Sequence, residues 1–321
     1  MIFASDLDRT LIYSQAFVND YPAPVKAVET GDYYSYMTES AAELLKDLAG
    51  RLLFVPCTTR TVEQYRRIGF LQNELRCRYA VTSNGANLLV DGAPDAAYRS
   101  DMLKALAHNC AAGMDILQGF GRLSGAGWAG AMRHADEAFY YCIVERDNVP
   151  LDELAEFSDW AAKQNWHVSL QGRKLYLVPR AVNKWSALQR VLEMAGDDKV
   201  AAAGDSLLDL PLVQGADYAI SPAHGELYEQ YGGYQLDLHA RSQSQSQSQS
   251  QSQLQSHKRS QCYLNPHPKC WRRVFTESFT DLPNNKQGAC SRRHWIFTES
   301  SGLAAGEEII KTVMQLLRPI E

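Results

Sequence analysis

The sequence lacks features that would place it in several specialised classes. No apolar run approaches the length of a membrane span, and the first residues lack the basic region of a secretory signal, so we expect no membrane partner. Basic residues are not in excess, because the formal net charge is −5, which argues against nucleic-acid binding. The seven cysteines are odd in number and irregularly spaced, which favours reduced thiols in a cytoplasmic protein over a disulfide framework. No feature indicates an oligomeric state.

The first third of the chain alternates short apolar strands with helical segments. Strands are predicted at 1–5, 52–56 and 79–82, and helices at 41–48, where Thr38 or Ser40 can cap the start, and 62–68. This alternation is typical of an α/β fold with a doubly wound parallel sheet covered on both faces. Ligands of such sheets bind beyond the carboxyl ends of the strands.

The remaining pattern divides the chain into a core, an inserted unit and a low-complexity segment. We assign 1–87, 179–240 and 301–321 to the core, and 88–178 to an inserted α+β cap. The elements predicted beyond residue 100 are a helix at 101–112, a mobile glycine-rich loop at 113–130 near the cleft entrance, a strand at 138–144, a helix at 151–165, a hairpin at 166–178, a helix at 184–194, a strand at 200–203 and a helix at 307–317.

Residues 241–300 break the pattern. Ser and Gln alternate from Ser242 to Gln253, a composition that cannot bury enough apolar surface to fold, so we expect a disordered insertion. Further on, the tetrapeptide Phe-Thr-Glu-Ser occurs twice, at 275–278 and 297–300. A duplicated coding stretch is one hypothesis, and a native locus that runs smoothly from Ala240 to Ser301 in close relatives would support it.

The chemistry is concentrated in four short segments. Asp6 and Asp8 follow the first strand, where paired carboxylates suit a hard metal ion and a nucleophile or proton carrier. Thr58 follows the second strand, and a hydroxyl and a backbone N–H at that position can bind a phosphate oxygen. Lys184 begins a helix and can neutralise carboxylates and a phosphoryl group. The segment from Gly204 to Asp209 delivers two acids after a further strand.

In this order, the four segments resemble the motifs of the haloacid dehalogenase (HAD) superfamily. The inserted unit resembles the cap of class IIB members, such as the Cof-type, sucrose-phosphate and mannosyl-3-phosphoglycerate phosphatases. Three further matches support the resemblance: Thr58-Thr59-Arg60 stands where Thr-Gly-Arg is common, Ser83-Asn84-Gly85-Ala86 is similar to an Asn-Gly-Ala turn, and Asn183-Lys184 begins a similar helix. The resemblance implies a HAD core and a phosphatase of small phosphorylated metabolites, such as sugar phosphates.

The resemblance also implies a role for each residue. Asp6 would be the nucleophile that forms an aspartyl-phosphate, and Asp8 the general acid and base, which must be protonated by the influence of neighbouring carboxylates. The remaining implied roles are Mg²⁺ binding by Asp6, Asp8 and Asp205, phosphate binding by Thr58, Lys184 and Asn84, and support of these groups by Thr10, Arg60, Ser206 and Asp209.

Two positions depart from the family pattern, and the cap leaves the substrate open. Arg9 replaces a glycine, which places a guanidinium near the cleft, and Leu208 stands where many relatives have an asparagine close to the metal. Candidate substrate contacts in the cap are the basic residues Arg122, Arg133, Arg173 and Lys174.

Three other functions fit parts of the sequence. A phosphosugar mutase on the same fold would transfer the phosphoryl group to a sugar hydroxyl. A glycosyltransferase could use Asp6 and Asp8 for a metal and a nucleotide sugar, but it leaves Lys184 and the Gly204–Asp209 segment without a role. A non-catalytic protein could use 241–300 as its contact region.

Overall fold

The computed structural model describes residues 1–19, 21–31, 34–232 and 294–317. Its strands are β1 (Ile2–Ser5), β2 (Tyr13–Ser14), β3 (Val25–Ala27), β4 (Ser35–Thr38), β5 (Leu53–Pro56), β6 (Tyr79–Thr82), β7 (Asn87–Val90), β8 (Ala93–Pro94), β9 (Arg133–Ala135), β10 (Phe139–Ile143), β11 (Trp166–Gln171), β12 (Lys174–Pro179), β13 (Val200–Ala203), β14 (Tyr218–Ser221) and β15 (His294–Phe297). Its main helices are α1 (Glu39–Ala49), α2 (Val62–Arg66), α3 (Ala96–Asn109), α4 (Gly113–Gly121), α5 (Leu151–Lys163), α6 (Lys184–Ala195), α7 (Leu210–Gly215) and α8 (Gly302–Leu316).

A parallel sheet with strand order β15-β14-β13-β1-β5 forms the core. Strand β1 lies inside the sheet, between β13 and β5, and its Ser5 pairs with Ala203 on one side and Pro56 on the other. On one face Phe3 joins an apolar cluster with residues of α1 and α8, and on the other Ile2 joins a cluster with residues of α6. The α/β expectation is therefore confirmed, and the loops after β1, β5 and β13 leave the sheet at the same edge.

Strand β6 is displaced from this sheet. A single bridge from Cys57 to Val81 connects it to the chain after β5, and its remaining pairing is antiparallel with β7. The antiparallel pairing follows from the 3₁₀ turn at Ser83–Gly85, which reverses the chain between β6 and β7. The positive φ of 57° at Asn84 and of 100° at Gly85 makes this reversal tight.

The caps of the core helices follow from the sequence. The Thr38 side chain accepts a hydrogen bond from the amide of Ala41 and so begins α1. The Asn183 side chain does the same for the amide of Ser186 at the start of α6, which fixes the first residue of that helix, Lys184.

Residues 133–179 contain a four-stranded antiparallel sheet, ordered β11-β12-β10-β9. Helices α4 and α5 pack against one face of this sheet and form an apolar cluster with it. The prediction of a mobile loop at 113–130 is wrong, because α4 occupies the first part of this segment and Ile116, Phe120 and Trp128 are buried. Gly119 serves packing, since a Cβ atom there would lie 2.7 Å from the Trp160 ring.

The end of the 241–300 segment belongs to the core sheet. Strand β15 pairs in parallel with β14, with Ile296 opposite Ile220, which corrects the assignment of 294–300 to an insertion. The amide of Thr298 then donates to the Ser221 carbonyl at 2.9 Å, and α8 packs on α1. The Ser-Gln tract, the first Phe-Thr-Glu-Ser copy and the other expectations for 241–293 lie outside the described residues. Across the described ranges, no helix has both the length and the apolarity that crossing a bilayer requires.

Candidate active site

The four segments that carry chemistry meet at the carboxyl edge of the core sheet. Asp6 follows β1, Thr58 follows β5, Asp205 follows β13, and Lys184 begins α6. A cavity of about 1540 Å³ opens beside them, lined on one side by the core and on the other by the sheet of residues 133–179. Asp6, Asp8 and Asp205 line this cavity directly.

Lys184 joins two of the acids in the buried part of the site. Its Nζ lies 2.6 Å from Asp6 Oδ1 and 2.5 Å from Asp209 Oδ1. The side chains of Lys184 and Asp209 are 1% exposed, so both charges depend on each other for stabilisation. Burial alone would lower the pKa of Lys184, but the charges of Asp209 and Asp6 raise it above its usual value. The ammonium is therefore a fixed positive charge beside Asp6.

Asp209 anchors the loop that carries Asp205. Its Oδ2 accepts hydrogen bonds from the amides of Asp205 and Ser206, at 3.2 and 3.0 Å, and from Ser206 Oγ at 2.8 Å. Gly204 makes room for this carboxylate, since a Cβ there would lie 2.3 Å from the Asp209 Cβ. Both Asp209 oxygens are thus engaged by donors, and this residue orients Lys184 and the loop.

Asp6 and Asp205 form the part of the site that suits a cation. One carboxylate oxygen each from Asp6, Asp205 and Asp209 lie within 4.8 Å of one another. Burial raises the pKa of Asp6 to about 7 in spite of Lys184, and the charges of Asp209 and Asp8 add to the rise. Burial and the charge of Asp6 raise the pKa of Asp205 well above its usual value. Crowded oxygen donors whose charges repel fit a hard divalent cation such as Mg²⁺.

Asp8 is held by an arginine. Arg60 donates from Nε to Asp8 Oδ2 and from Nη2 to Asp8 Oδ1, both at 2.7 Å, and from Nη1 to Glu29 Oε1 at 2.9 Å. Burial would raise the pKa of Asp8, but the charge and hydrogen bonds of Arg60 outweigh it and leave that pKa below its usual value. The expectation that neighbouring carboxylates raise the pKa of Asp8 is therefore wrong for this arrangement. Sequence reasoning also missed Glu29, for which the sequence carries no signal.

The polar residues around these acids have separate tasks. Thr10 Oγ1 donates to Asp6 Oδ2 at 3.1 Å and so fixes the carboxylate plane. Thr58 is buried, and its Oγ1 accepts a hydrogen bond from the amide of Arg60 at 3.1 Å. Asn84 uses its side-chain amide on the Val182 carbonyl, at 3.1 Å, which ties the turn to the segment before Lys184.

The two departures from the family pattern acquire structural explanations. Arg9 has a φ of 65°, a left-handed conformation that favours glycine, and its Nε lies 3.5 Å from Asp205 Oδ2. It therefore places a positive charge at the cavity next to the acids. Leu208 is buried in an apolar cluster that includes Tyr176 and Val178 of β12. That side chain contributes to the contact between the two sheets.

The sheet of residues 133–179 contributes aromatic, hydroxyl and basic side chains to the lining of the cavity. Tyr141 and Tyr176 are paired across β10 and β12, with ring centroids 6.0 Å apart, and Ser169 pairs with Tyr176 from β11. Of the four basic candidates, Arg173 and Lys174 line the cavity, whereas Arg122 and Arg133 are not among its lining residues.

Glu226 is a further acid that sequence reasoning missed. It lines the cavity, and its Oε2 accepts a hydrogen bond from the amide of Leu207 at 2.9 Å. Burial raises its pKa to about 7. The preceding Gly225, next to His224 in a polar stretch after β14, is the sequence signal that could have indicated a turn at the site.

Comparison with solved structures decides the architecture. The sucrose-phosphatase from Synechocystis sp. PCC6803, solved in complex with sucrose and phosphate, is similar over 72% of this chain and 88% of its own, with a TM-score of 0.52 and 17% sequence identity. The chain has the fold of the HAD phosphatases. A HAD subclass IIB sugar phosphatase is similar over 70% of this chain and 88% of its own, with a TM-score of 0.50 and 10% identity. No family model and no curated protein sequence matches the chain.

The HAD fold agrees with the resemblance drawn from the motifs. By their descriptions, one of these structures is a sucrose-phosphatase and the other a sugar phosphatase, and both are covered over most of their length. At these identities the likeness concerns the fold, so the activity of this chain has to be argued from its own residues.

Proposed function

We propose that the chain is a Mg²⁺-dependent phosphatase that hydrolyses a small phosphorylated metabolite, a sugar phosphate or a related compound, through an aspartyl-phosphate. The observation that carries this proposal is the Lys184 ammonium 2.6 Å from Asp6 Oδ1, with Asp205 and Thr58 at the same edge of the sheet. A buried carboxylate flanked by a fixed cation and further oxygen donors is the arrangement that phosphoryl transfer requires.

Asp6 acts as the nucleophile in the first step. One of its carboxylate oxygens forms a bond to phosphorus while the bond from phosphorus to the substrate oxygen breaks. Thr10 keeps the carboxylate plane fixed through its 3.1 Å hydrogen bond, and Lys184 and Thr58 bind the phosphoryl oxygens, over which charge is spread in the transition state. When bound by Asp6, Asp205 and the Asp8 backbone carbonyl, Mg²⁺ supplies positive charge that offsets the repulsion between the carboxylates and the phosphate.

Asp8 carries the protons. Protonated Asp8 gives its proton to the leaving oxygen, and the resulting carboxylate accepts a proton from the water that attacks the phosphoryl group, which releases phosphate and regenerates Asp6. The ionised Asp8 that Arg60 stabilises is the form needed as the base in the second step. Because Arg60 holds Asp8 ionised, Asp8 has to take up a proton and turn one oxygen from Arg60 to the leaving group before it acts as the acid in the first step.

The substrate enters between the two sheets. A cavity of about 1540 Å³ accommodates a mono- or disaccharide phosphate. Tyr141 and Tyr176 offer ring faces and hydroxyl groups that suit a sugar, and Lys174 and Arg173 lie on the same side of the cavity. Cys57, Cys77, Cys110 and Cys142 are free thiols, which supports a cytoplasmic location as part of this proposal.

Phosphate release from a panel of phosphorylated sugars, polyols and acids, with Mg²⁺ present, tests the proposal. We expect several-fold preference for at least one sugar phosphate and loss of activity in excess chelator. Absence of phosphate release from every member of the panel would overturn the proposal. Labelled phosphate that appears on a sugar hydroxyl rather than in solution would indicate a mutase instead.

A further inference from the structure

The antiparallel sheet of residues 133–179, called the cap sheet below, has one turn that is hydrogen-bonded into the core beside Thr58 and Lys184, the candidate phosphate site. The turn joins β9 to β10, and Asp136 and Glu137 within it have φ values of 43° and 55°. Asp136 Oδ2 accepts hydrogen bonds from the amide of Val62 at 2.9 Å, from Asn87 Nδ2 at 3.1 Å, and from Ser83 Oγ. One carboxylate oxygen of the cap thus receives three donors from the core.

The backbone on both sides of this contact is in an unfavourable conformation. Asp136 and Glu137 in the cap, and Ser83 and Asn84 in the core, all have left-handed φ values between 43° and 57°. Arg99 of α3 fixes the turn further, since its Nη2 donates to the Asp136 carbonyl at 2.6 Å. Non-glycine residues keep such conformations only where the surroundings enforce them, and they concentrate at functional sites.

The core side of the contact also positions the site residues. The amide of Ser83 donates to the Arg60 carbonyl at 2.7 Å, and the amide of Asn84 donates to the Thr58 carbonyl at 2.9 Å. Through its side chain, Asn84 holds the Val182 carbonyl, two residues before Lys184. The turn that receives Asp136 is therefore the same one that supports the phosphate-binding candidates.

The cap side of the contact leads to the substrate-facing residues. Strand β10 runs from the Asp136 turn through Phe139 to Tyr141, which pairs with Tyr176 of β12. All three aromatic residues line the cavity. Any rotation of the cap about the core moves these rings relative to Asp8, and the Asp136 contact opposes it.

We propose that Asp136 is a positioning residue, a carboxylate latch that holds the cap sheet at a fixed position over the phosphate site. Its kinetic consequence rests on the proposed phosphatase function. The latch stabilises the closed arrangement, in which the cap and the phosphate site contact the two ends of one substrate. Loss of the latch lowers the fraction of protein that is ready to bind that substrate.

The test compares Asp136→Ala with Asp136→Asn, which retains an acceptor oxygen and tolerates a left-handed φ. We expect Asp136→Ala to raise KM for the preferred sugar phosphate about tenfold, the cost of a charge-assisted hydrogen bond, and Asp136→Asn to stay within about threefold. Asp91→Ala is the matched control, because Asp91 has a φ of 49° in an exposed hairpin turn outside the site. We expect its KM to equal that of the wild type.

Amide hydrogen exchange provides a readout that needs no substrate. In Asp136→Ala the amide of Val62 and the 83–87 segment should exchange at least severalfold faster, whereas they should be unchanged in Asp91→Ala. Ser83→Ala removes one donor from the core side and should move both readouts in the same direction, which decides the matter if Asp136→Ala does not fold. Unchanged exchange and KM in the folded variants would overturn the latch. An inactive wild type would overturn the phosphatase function alone, because the exchange measurement remains decisive for the latch.

Discussion

Arg60 binds both carboxylate oxygens of Asp8, through Nε and Nη2 at 2.7 Å each. The same guanidinium contacts Glu29, whose side chain is only 5% exposed. Arg60 therefore connects the residue proposed to carry protons with a buried acid on the segment before β4. Removing it affects the site and the stability of the fold through different partners.

Arg60→Met should destabilise the protein by about 3 kcal/mol, because it leaves the buried Glu29 charge without its cation. Urea unfolding monitored by circular dichroism measures this loss. The control is Arg51→Met, whose pair with Asp47 is exposed by 58% and 45%, and it should cost about 0.5 kcal/mol or less. Equal losses in the two variants would show that Glu29 does not depend on Arg60.

Asp6→Asn should lower phosphate release about a thousandfold or more, because an amide does not attack phosphorus. The fold should survive, since Lys184 keeps its 2.5 Å contact with Asp209. Activity and the thermal midpoint are measured on the same preparation. Retained turnover would contradict the nucleophile assignment, and Asp197→Asn, at a partly buried pair with the Met1 amino group outside the site, is a suitable control.

Mg²⁺ should stabilise the protein more at pH 8 than at pH 5.5. The pKa of Asp6 is about 7 in the folded protein against 3.8 in the unfolded chain, so the metal-free folded protein binds this proton more tightly than the unfolded chain does. The folded protein therefore loses stability as the pH rises from about 4 to about 7. Mg²⁺ binds the ionised form and offsets this loss, by about 2.7 kcal/mol at a hundred times its Kd.

Thermal midpoints with and without Mg²⁺ across this pH range test that expectation. A Mg²⁺ effect that is the same at both pH values, or that persists in Asp205→Asn, would contradict the assignment of the cation to these acids.

Gly225→Ala should weaken Mg²⁺ binding about tenfold, as expected when the support of a metal ligand is displaced. A Cβ atom at Gly225 would lie 2.7 Å from the Asp205 carbonyl oxygen and 2.8 Å from Asp205 Oδ2. Gly31 is a matched control, because its φ of 86° equals the 85° of Gly225 within a degree but a Cβ there meets nothing within 4 Å. The Mg²⁺ concentration for half-maximal activity should rise in the first variant alone.

Much of the site could be predicted because its residues follow strands with strong local signals. The apolar run of β1 predicts where Asp6 leaves the sheet, and the resemblance of Asn183-Lys184 to the start of a family helix predicts where Lys184 lies. In a parallel sheet these ends share one edge whatever the sequence between them. The short-range pattern was therefore sufficient to bring distant segments together.

The remaining features depend on contacts between distant segments. Glu29 and Asp136 are acids outside the strands and helices, and only the approach of Arg60 and of Ser83 gives them a role. The glycines of 113–130 indicate a loop by composition, yet the burial of Ile116 and Phe120 against α5 stabilises a helix there. Strand β15 could not be predicted because its sequence follows a low-complexity tract and because the strand forms only by pairing with β14.

The position of β15 in the sheet and of α8 against it has a consequence for synthesis. Strand β15 completes the sheet beside β14, and Ile309 and Val313 of α8 share an apolar cluster with Phe3 of β1. Every acid of the site therefore leaves the ribosome before β15 and α8, the elements that stabilise the sheet around β1. We expect a nascent chain arrested before residue 294 to hydrolyse no phosphate ester, and activity to begin only once α8 has emerged from the ribosome. Hydrolysis by the arrested chain would refute this order.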